Sequence, residues 1–338
     1  MGVLFAGGED ICFTQVGAGN AVSTVTSYRR TAYSRCTLGA ATSTSANGDG
    51  WYGAFSSASS SFWFTGRVYP LGGLNNLAGV KTLMFRSGSV SRIELRCKTL
   101  NTGDVGIYKV TSAGSATLLA SASSNLVANT QFRFDVQINY STSGFVRLYY
   151  GGTLVADTGT VDVTTDGATS LDGFVLGAFS ASASSIPGQW SEIIASTDDT
   201  RSMSLLTVSP AAAGNSQTFD TNTVGNINEV TNSDATLISS ATANQLAQYT
   251  ITTPGAIGNP SVNAVSLWTR AQRGGTGPQS LQHAVRTSST DSFSATKALS
   301  ATMGQQVTTW DVNPVTGVYW TAAELSAAGF NIGVKSIA

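Results

Sequence analysis

The chain has 338 residues and a formal net charge of −1; 11% of its residues are charged and 41% hydrophobic. Near-neutrality leaves no electrostatic footprint for nucleic acid and no basic face for an anionic membrane, so neither partner is expected. The apolar content is too high for disorder, and the length exceeds one ordinary sandwich but suits two.

The N-terminal segment carries Glu9 and Asp10 and no basic leader, so no signal peptide is expected. No stretch approaches the roughly 20 apolar residues of a membrane span. The three cysteines, Cys12, Cys36 and Cys97, are odd in number and widely spaced. This argues against a disulfide framework or a zinc ribbon and predicts buried free thiols.

In chain order, residues 11–16 (ICFTQV) read as a first strand ended by the glycine turn at 17–20, and residues 28–38 as a second. Residues 42–50, rich in Ser, Thr, Asn and Gly, read as a loop. Residues 62–69 (FWFTGRVY) are dense in β-formers before Pro70; 82–86, 92–97 and 105–110 continue the series. In residues 132–140, Phe132, Phe134, Val136, Ile138 and Tyr140 share one face while Arg133, Asp135, Gln137 and Asn139 share the other. That alternation predicts a half-buried antiparallel strand with one wet face. Turns at 141–143 and at Gly151-Gly152 bring in the next strands, and 171–177 returns before Trp190. About a dozen short strands with small-residue turns predict a sandwich or jelly roll.

Residues 188–210 (GQWSEIIASTDDTRSMSLLTVSP) join two halves. Trp190 to Ala195 alternate as a strand, residues 197–200 form a polar turn, and 203–208 read as the first strand of a second domain, ended by Pro210. Further on, 247–252, 262–273, 280–286, 307–312 and 330–334 are expected strands, with the glycine-rich turn at 274–278 making a hairpin of 262–273 and 280–286. One helix is signalled: Thr321 and Glu324 have capping-box spacing, Trp320 and Leu325 staple spacing, and Gly329 the place of a left-handed C-terminal cap.

The runs FRFDVQINY, GFVRLYYGGTLV and LDGFVLGAF resemble a concanavalin-A or laminin-G-like sandwich. The join WSEIIASTDDTRSMSLLTVSP and the C-terminal run TTWDVNPVTGVYWTAAELSAAGFNIGVK resemble more specifically a family of tailed-phage and prophage virion proteins, over nearly the whole chain. The resemblance implies an all-β chain of two jelly-roll-like β-sandwich domains, a lectin-like one over 1–197 and a smaller one over 198–338, with one short helix near the C-terminus. It further implies a non-enzymatic virion component assembled in the bacterial host's cytoplasm, partnered by other virion proteins and by copies of itself. The absence of fibre repeats favours a compact surface accessory, a head decoration or a short tail or collar appendage. A soluble lectin outside any particle is the alternative.

Catalytic chemistry finds little support, and no cofactor is expected. His283 is the sole histidine and shares parity with Leu281 and Val285, so a packed, hydrogen-bonded imidazole is the expectation. Glu192 with Asp198 and Asp199 offers a glycosidase-like carboxylate pair or a calcium cluster only on paper, and no catalytic or metal residue is assigned. Trp51 and Tyr52, beside the glycine-rich loop, are the candidate glycan-stacking residues.

Overall fold

The computed structural model describes residues 2–16, 24–25, 33–39, 50–70, 80–98, 104–127, 129–177, 188–231, 233–252 and 261–338. The expected turn at 17–20, the first part of the expected strand 28–38 and the expected loop at 42–50 apart from Gly50 lie outside the described residues. The chain divides into two compact units, Met1–Leu205 and Leu206–Ala338.

The first unit contains β1 (Val3–Gly7), β2 (Thr14–Val16), β3 (Thr24–Val25), β4 (Thr37–Gly39), β5 (Gly50–Ser59), β6 (Ser61–Pro70), β7 (Lys81–Ser87) and β8 (Val90–Cys97). It continues with β9 (Val105–Val110), β10 (Ala116–Ser121), β11 (Phe132–Asn139), β12 (Phe145–Tyr150), β13 (Thr153–Asp157), β14 (Leu171–Leu176) and β15 (Gly188–Ser196). One antiparallel sheet has the order β13-β12-β11-β6-β15-β4-β3, with β1 also on β15; the other runs β10-β9-β8-β7-β14-β5-β2. Alternate residues of the two sheets meet in an aromatic core. Phe64 lies edge-on to Phe174 at 5.0 Å and to Phe85 at 5.5 Å, and Phe62 lies 5.5 Å from Phe85. Trp190 is wholly buried and donates its indole N–H to the Gly177 carbonyl at 2.9 Å. This is a two-sheet β-sandwich.

Several strands of this unit escape the sequence reading, among them β1, β5 and β10. The chain begins its pairing at Val3, and residues 10–12 form a turn of 3-10 helix in place of the expected strand start. Strand β5 is invisible to periodicity because its second half is serine and alanine. The Gly151-Gly152 turn behaves as expected: both residues have positive φ (56° and 85°), the conformation a tight hairpin between β12 and β13 demands. The face of β11 expected to be wet is covered at Asp135, while Arg133, Gln137 and Asn139 stay part-exposed. Asp135 is fully buried, because residues 198–205 cross above it instead of forming a strand. Arg133 fixes that crossing, donating to Asp135 Oδ1 (2.7 Å), Thr65 Oγ1 (3.1 Å), the Met203 carbonyl (2.7 Å) and the Thr200 carbonyl.

The second unit contains β16 (Pro210–Gln217), β17 (Leu246–Ile251), β18 (Ser261–Val262), β19 (Val265–Ala271), β20 (Ser280–Thr287), β21 (Thr290–Phe293), β22 (Lys297–Ala298) and β23 (Gly304–Trp310). After them come β24 (Trp320–Thr321), α1 (Ala322–Ser326) and β25 (Asn331–Ile337). Its main sheet runs β16-β17-β25-β20-β21, with β22 on β20; β19 pairs with β23, and β18 with β24. Val285, Trp320 and Phe330 form the core, packed by Val265 and Trp310 of the β19–β23 ribbon and Ile332 of the sheet. A second, smaller sandwich results. Pro210 opens β16 instead of ending a strand, which costs nothing because a first residue on an edge strand needs no ladder donor. The expected β19–β20 hairpin does not form: the turn is present, but β19 pairs with β23 while β20 joins β25.

Helix α1 has the expected capping box. Thr321 Oγ1 accepts from the Glu324 N–H at 3.2 Å, and Glu324 Oε2 accepts from the Thr321 N–H at 2.8 Å. The Glu324 carboxyl is held below the usual range chiefly by that backbone donor. Gly329 is not left-handed, and the helix ends on an extended Ala327. Thr321→Ala is expected to cost about 0.5–2 kcal/mol. The check is a urea titration, where an unmoved midpoint at unchanged slope would contradict the cap's contribution.

Candidate functional site

Strand β5 pairs with β14 and β2, placing Tyr52 opposite Val175 and Thr14. Alternation sends Trp51, Gly53 and Phe55 toward the core and Tyr52 to the outer face of the sheet. Trp51 is accordingly only 7% exposed, lies 6.3 Å from Phe13, and donates its indole N–H to the Gly39 carbonyl at 3.0 Å. Trp51 therefore has no open ring face for a sugar, and its expected role as a glycan contact is corrected to a core role. Tyr52 remains half-buried on the outer face. Its ring lies across Gly173: a β-carbon there would meet Tyr52 Cε2 at 2.7 Å and the hydroxyl at 2.9 Å, so only glycine permits this placement.

Two residues complete the site that sequence reasoning did not single out. Arg86, at the end of β7, faces outward opposite Gly173 and lies over the Tyr52 ring, 5.0 Å from its centroid. It is 8% exposed, and its Nε has no hydrogen-bond partner among the described residues. Asp172, in the β14 irregularity beside Gly173, accepts from the Gly88 N–H through Oδ2 at 2.8 Å, and its Oδ1 is buried without a partner among the described residues. The Tyr52 hydroxyl is pushed above its ordinary pKa by burial and by the Asp172 carboxylate, against a smaller opposing effect of Arg86.

Arg86 differs from the other arginines around it. Arg35, Arg92, Arg96, Arg133, Arg147 and Arg201 each lie within ion-pair distance of a carboxylate. Even the neighbouring cation–aromatic pair, Arg96 over Tyr108 at 5.2 Å, is closed internally, with Glu94 bridging Arg96 and Lys81. Arg86 has no such carboxylate among the described residues. A nearly buried guanidinium thus lies over a phenol ring, with a carboxylate close enough to act on the phenol. An aromatic ring on the outer face with a guanidinium over it suits a small polar ligand that also has an apolar face. A sugar is such a ligand: its hydroxyls accept from arginine, donate to a carboxylate, and its C–H face packs on an aromatic ring.

The other sequence candidates do not assemble. His283 is fully buried, its Nε2 2.9 Å from Thr269 Oγ1 and its Nδ1 2.8 Å from Thr308 Oγ1, and burial pushes its pKa down to about 3. An imidazole held neutral between two threonines is a structural fastener of the sheet to the ribbon. Glu192 is buried in a β15 bulge with φ 54°, and Asp199 is gripped by Arg201 through bonds of 2.7 to 3.1 Å. Arg201 in turn stacks over Trp63 at 4.7 Å and Tyr149 at 4.9 Å, which closes that sheet's outer face at this point. Among the described residues no group of three His, Cys, Asp or Glu could hold a metal ion.

No protein-family model and no curated protein sequence matches the chain. Among solved structures it is similar to an endo-β-1,4-glucuronan lyase from the fungus Trichoderma reesei, at 11% identity over 55% of this chain and 90% of that one, TM-score 0.38. It is similar also to the carbohydrate-binding module CBM66 from Bacillus subtilis (13% identity, 55% and 95% covered, TM-score 0.34). A third is the Caenorhabditis elegans galectin LEC-6, with 11% identity, 43% and 89% covered, and a TM-score of 0.31. Likeness at this level carries no argument about activity, which has to come from the residues themselves.

Proposed function

We propose that this chain is a non-enzymatic carbohydrate-binding protein, with Tyr52, Arg86 and Asp172 as its sugar site, and that it serves as a compact surface component of a tailed-phage virion. The sugar-binding half rests on one observation: the half-buried Tyr52 ring on the outer face of the sheet with the Arg86 guanidinium over it at 5.0 Å. A non-catalytic role fits the locked state of His283 and the Arg201-paired state of Asp199. The virion half is supported by the join at 188–210 and the run at 308–335, which resemble the phage family.

A glycan array probed with the intact chain tests the sugar site. Tyr52→Ala is expected to abolish signal on whichever glycans bind, a loss of at least tenfold in affinity. Tyr319→Ala, which alters a 64% exposed tyrosine of the second unit, should leave it intact. Binding that ignores Tyr52 would remove this site from consideration. For the virion role the measurement is copurification with capsid or tail in fixed stoichiometry, followed by particle imaging. A protein that binds glycans and never associates with particles would be the free lectin instead.

A further inference from the structure

We infer that strand β10 is a self-association edge, where two copies of this chain pair antiparallel about a two-fold axis. The inference goes beyond the sugar reading and does not depend on it. Strand β10 stands at one end of the sheet β10-β9-β8-β7-β14-β5-β2 and pairs on one side only, with β9. In an antiparallel ladder alternate residues turn their N–H and C=O away from the partner strand, so the far side of β10 offers a row of donors and acceptors. That side is open. Ala116, Thr117 and Leu118 are exposed, Leu118 at 43%. Apart from the β9 ladder, no backbone hydrogen bond reaches residues 116–121 among the described residues.

Open edges in natural sheets are ordinarily blunted by charge, proline, bulges or brevity. The other ends of the three large sheets follow that rule. Strands β2 and β3 are three and two residues long, and β13 carries Asp157, ion-paired to Arg147. Strand β16 opens on Pro210 and shifts register twice, and β21 carries Asp291, ion-paired to Arg286. Strand β23 of the ribbon is uncharged, but each of its residues is half-buried. Around β10, no residue between Lys109 and Arg133 is charged and none is proline. Its register shift lies between Leu118 and Ala120, and the exposed run from Ala116 to Leu118 precedes it. The missing charge also selects the occupant. A two-fold axis sets every residue near its own kind, so a charge on the strand would meet a like charge. An uncharged strand escapes that conflict, and a net charge of −1 leaves little long-range repulsion between copies. Leu118 supplies the apolar contact. It lies opposite Tyr108 and against Gly106, where a β-carbon would meet its Cδ1 at 2.9 Å. Pairing the 116–118 run with its own copy makes the two Leu118 side chains neighbours on one face of the joined sheet.

A strand of six residues makes a small contact, so the dimer is expected to be concentration-dependent. Sedimentation velocity of the full chain from about 1 μM to about 1 mM should show monomer passing to dimer. Amide exchange at residues 116–121 should slow over the same range. Leu118→Lys and Leu118→Glu should each weaken the dimer by about tenfold or more, since like charges then sit side by side across the axis. Mixing the two variants should restore it as a heterodimer. Because Leu118 is 43% exposed, both variants should keep the native denaturation midpoint, and recovery on mixing independently shows that they are folded. A chain that stays monomeric throughout overturns the inference, even if the edge then captures a strand from another protein. A dimer that survives both variants, or that fails to return on mixing, overturns it as well by placing the contact elsewhere. None of these outcomes bears on the glycan array, which judges the sugar reading separately.

Discussion

Replacing Arg133 by methionine is expected to destabilise the first unit by about 3–5 kcal/mol, the usual result of stripping one partner from a buried ion pair. Arg133 is the counter-ion of the fully buried Asp135 at 2.7 Å, and its other nitrogens hold the carbonyls of Thr200 and Met203. Thr65 Oγ1, which donates to Asp135 at 2.5 Å, cannot neutralise a charge alone. The loss has a local signature as well. Once residues 198–205 are released, the bond after Arg201 becomes a trypsin site, so cleavage there should accelerate relative to the native chain. Urea denaturation measures the first effect and timed trypsinolysis the second. Changing both partners, Arg133→Met with Asp135→Leu, should recover much of the stability without restoring protease resistance. A single variant that loses less than about 1 kcal/mol would show that the pair does not anchor the crossing.

Acidification is expected to push the two units in opposite directions. His283 has a folded pKa lowered to about 3, against about 6.5 when unfolded. Its contribution is complete above pH 6.5 and is lost as pH falls toward 3, because only the unfolded chain takes up the proton. Linkage puts the loss at about 2 kcal/mol by pH 5. Glu9 in the first unit is shifted the other way. Burial raises it to about 7, against the lowering effect of Arg35 at 3.2 Å. Its raised pKa makes the folded form hold the proton more tightly. Stability from it is therefore present at low pH and lost as pH rises from about 4.5 through 7, again about 2 kcal/mol between pH 5 and 7. Hydrogen exchange read by unit, in β20 for one and β6 for the other, separates the two. Between pH 7 and 5 protection should fall in β20 and rise in β6. His283→Gln should flatten the first response and Glu9→Gln the second. Parallel responses in both strands would contradict the assignment.

The elements legible in the sequence are those whose burial is one-sided. Phe132 to Tyr150 alternates because one face meets the core, and the hairpins there follow the expected turns. What periodicity cannot see is a second layer. Asp135 sits on the polar face of its strand yet is fully buried, because a non-strand segment distant in sequence crosses over it. Strand β5 is hidden by Ser56, Ser57 and Ser59, residues compatible with either loop or strand, and with it goes the distinction between inward Trp51 and outward Tyr52. Arg86 and Asp172 look ordinary in the sequence, one ending an apolar strand and the other preceding a glycine. Their meeting with Tyr52 depends on three strands brought together by the sheet order β7-β14-β5. Gly173 is the available signal, since a glycine inside a strand marks a close approach. The capping box is legible because its two residues lie one turn apart and need no tertiary partner.

All three thiols, Cys12, Cys36 and Cys97, are buried and confined to the first unit. Burial drives the Cys12 thiol far above its ordinary range and the Cys97 thiol up to about 12. Alkylating reagents attack the thiolate, which is scarce at both positions in the folded protein. The first unit therefore carries its own chemical clock. Incorporation of an alkylating mass tag counts openings of this sandwich while the other unit stays silent. Comparing the tag at Cys12, beside the N-terminal strand, with that at Cys97, at the end of β8, distinguishes fraying of one edge from opening of the whole.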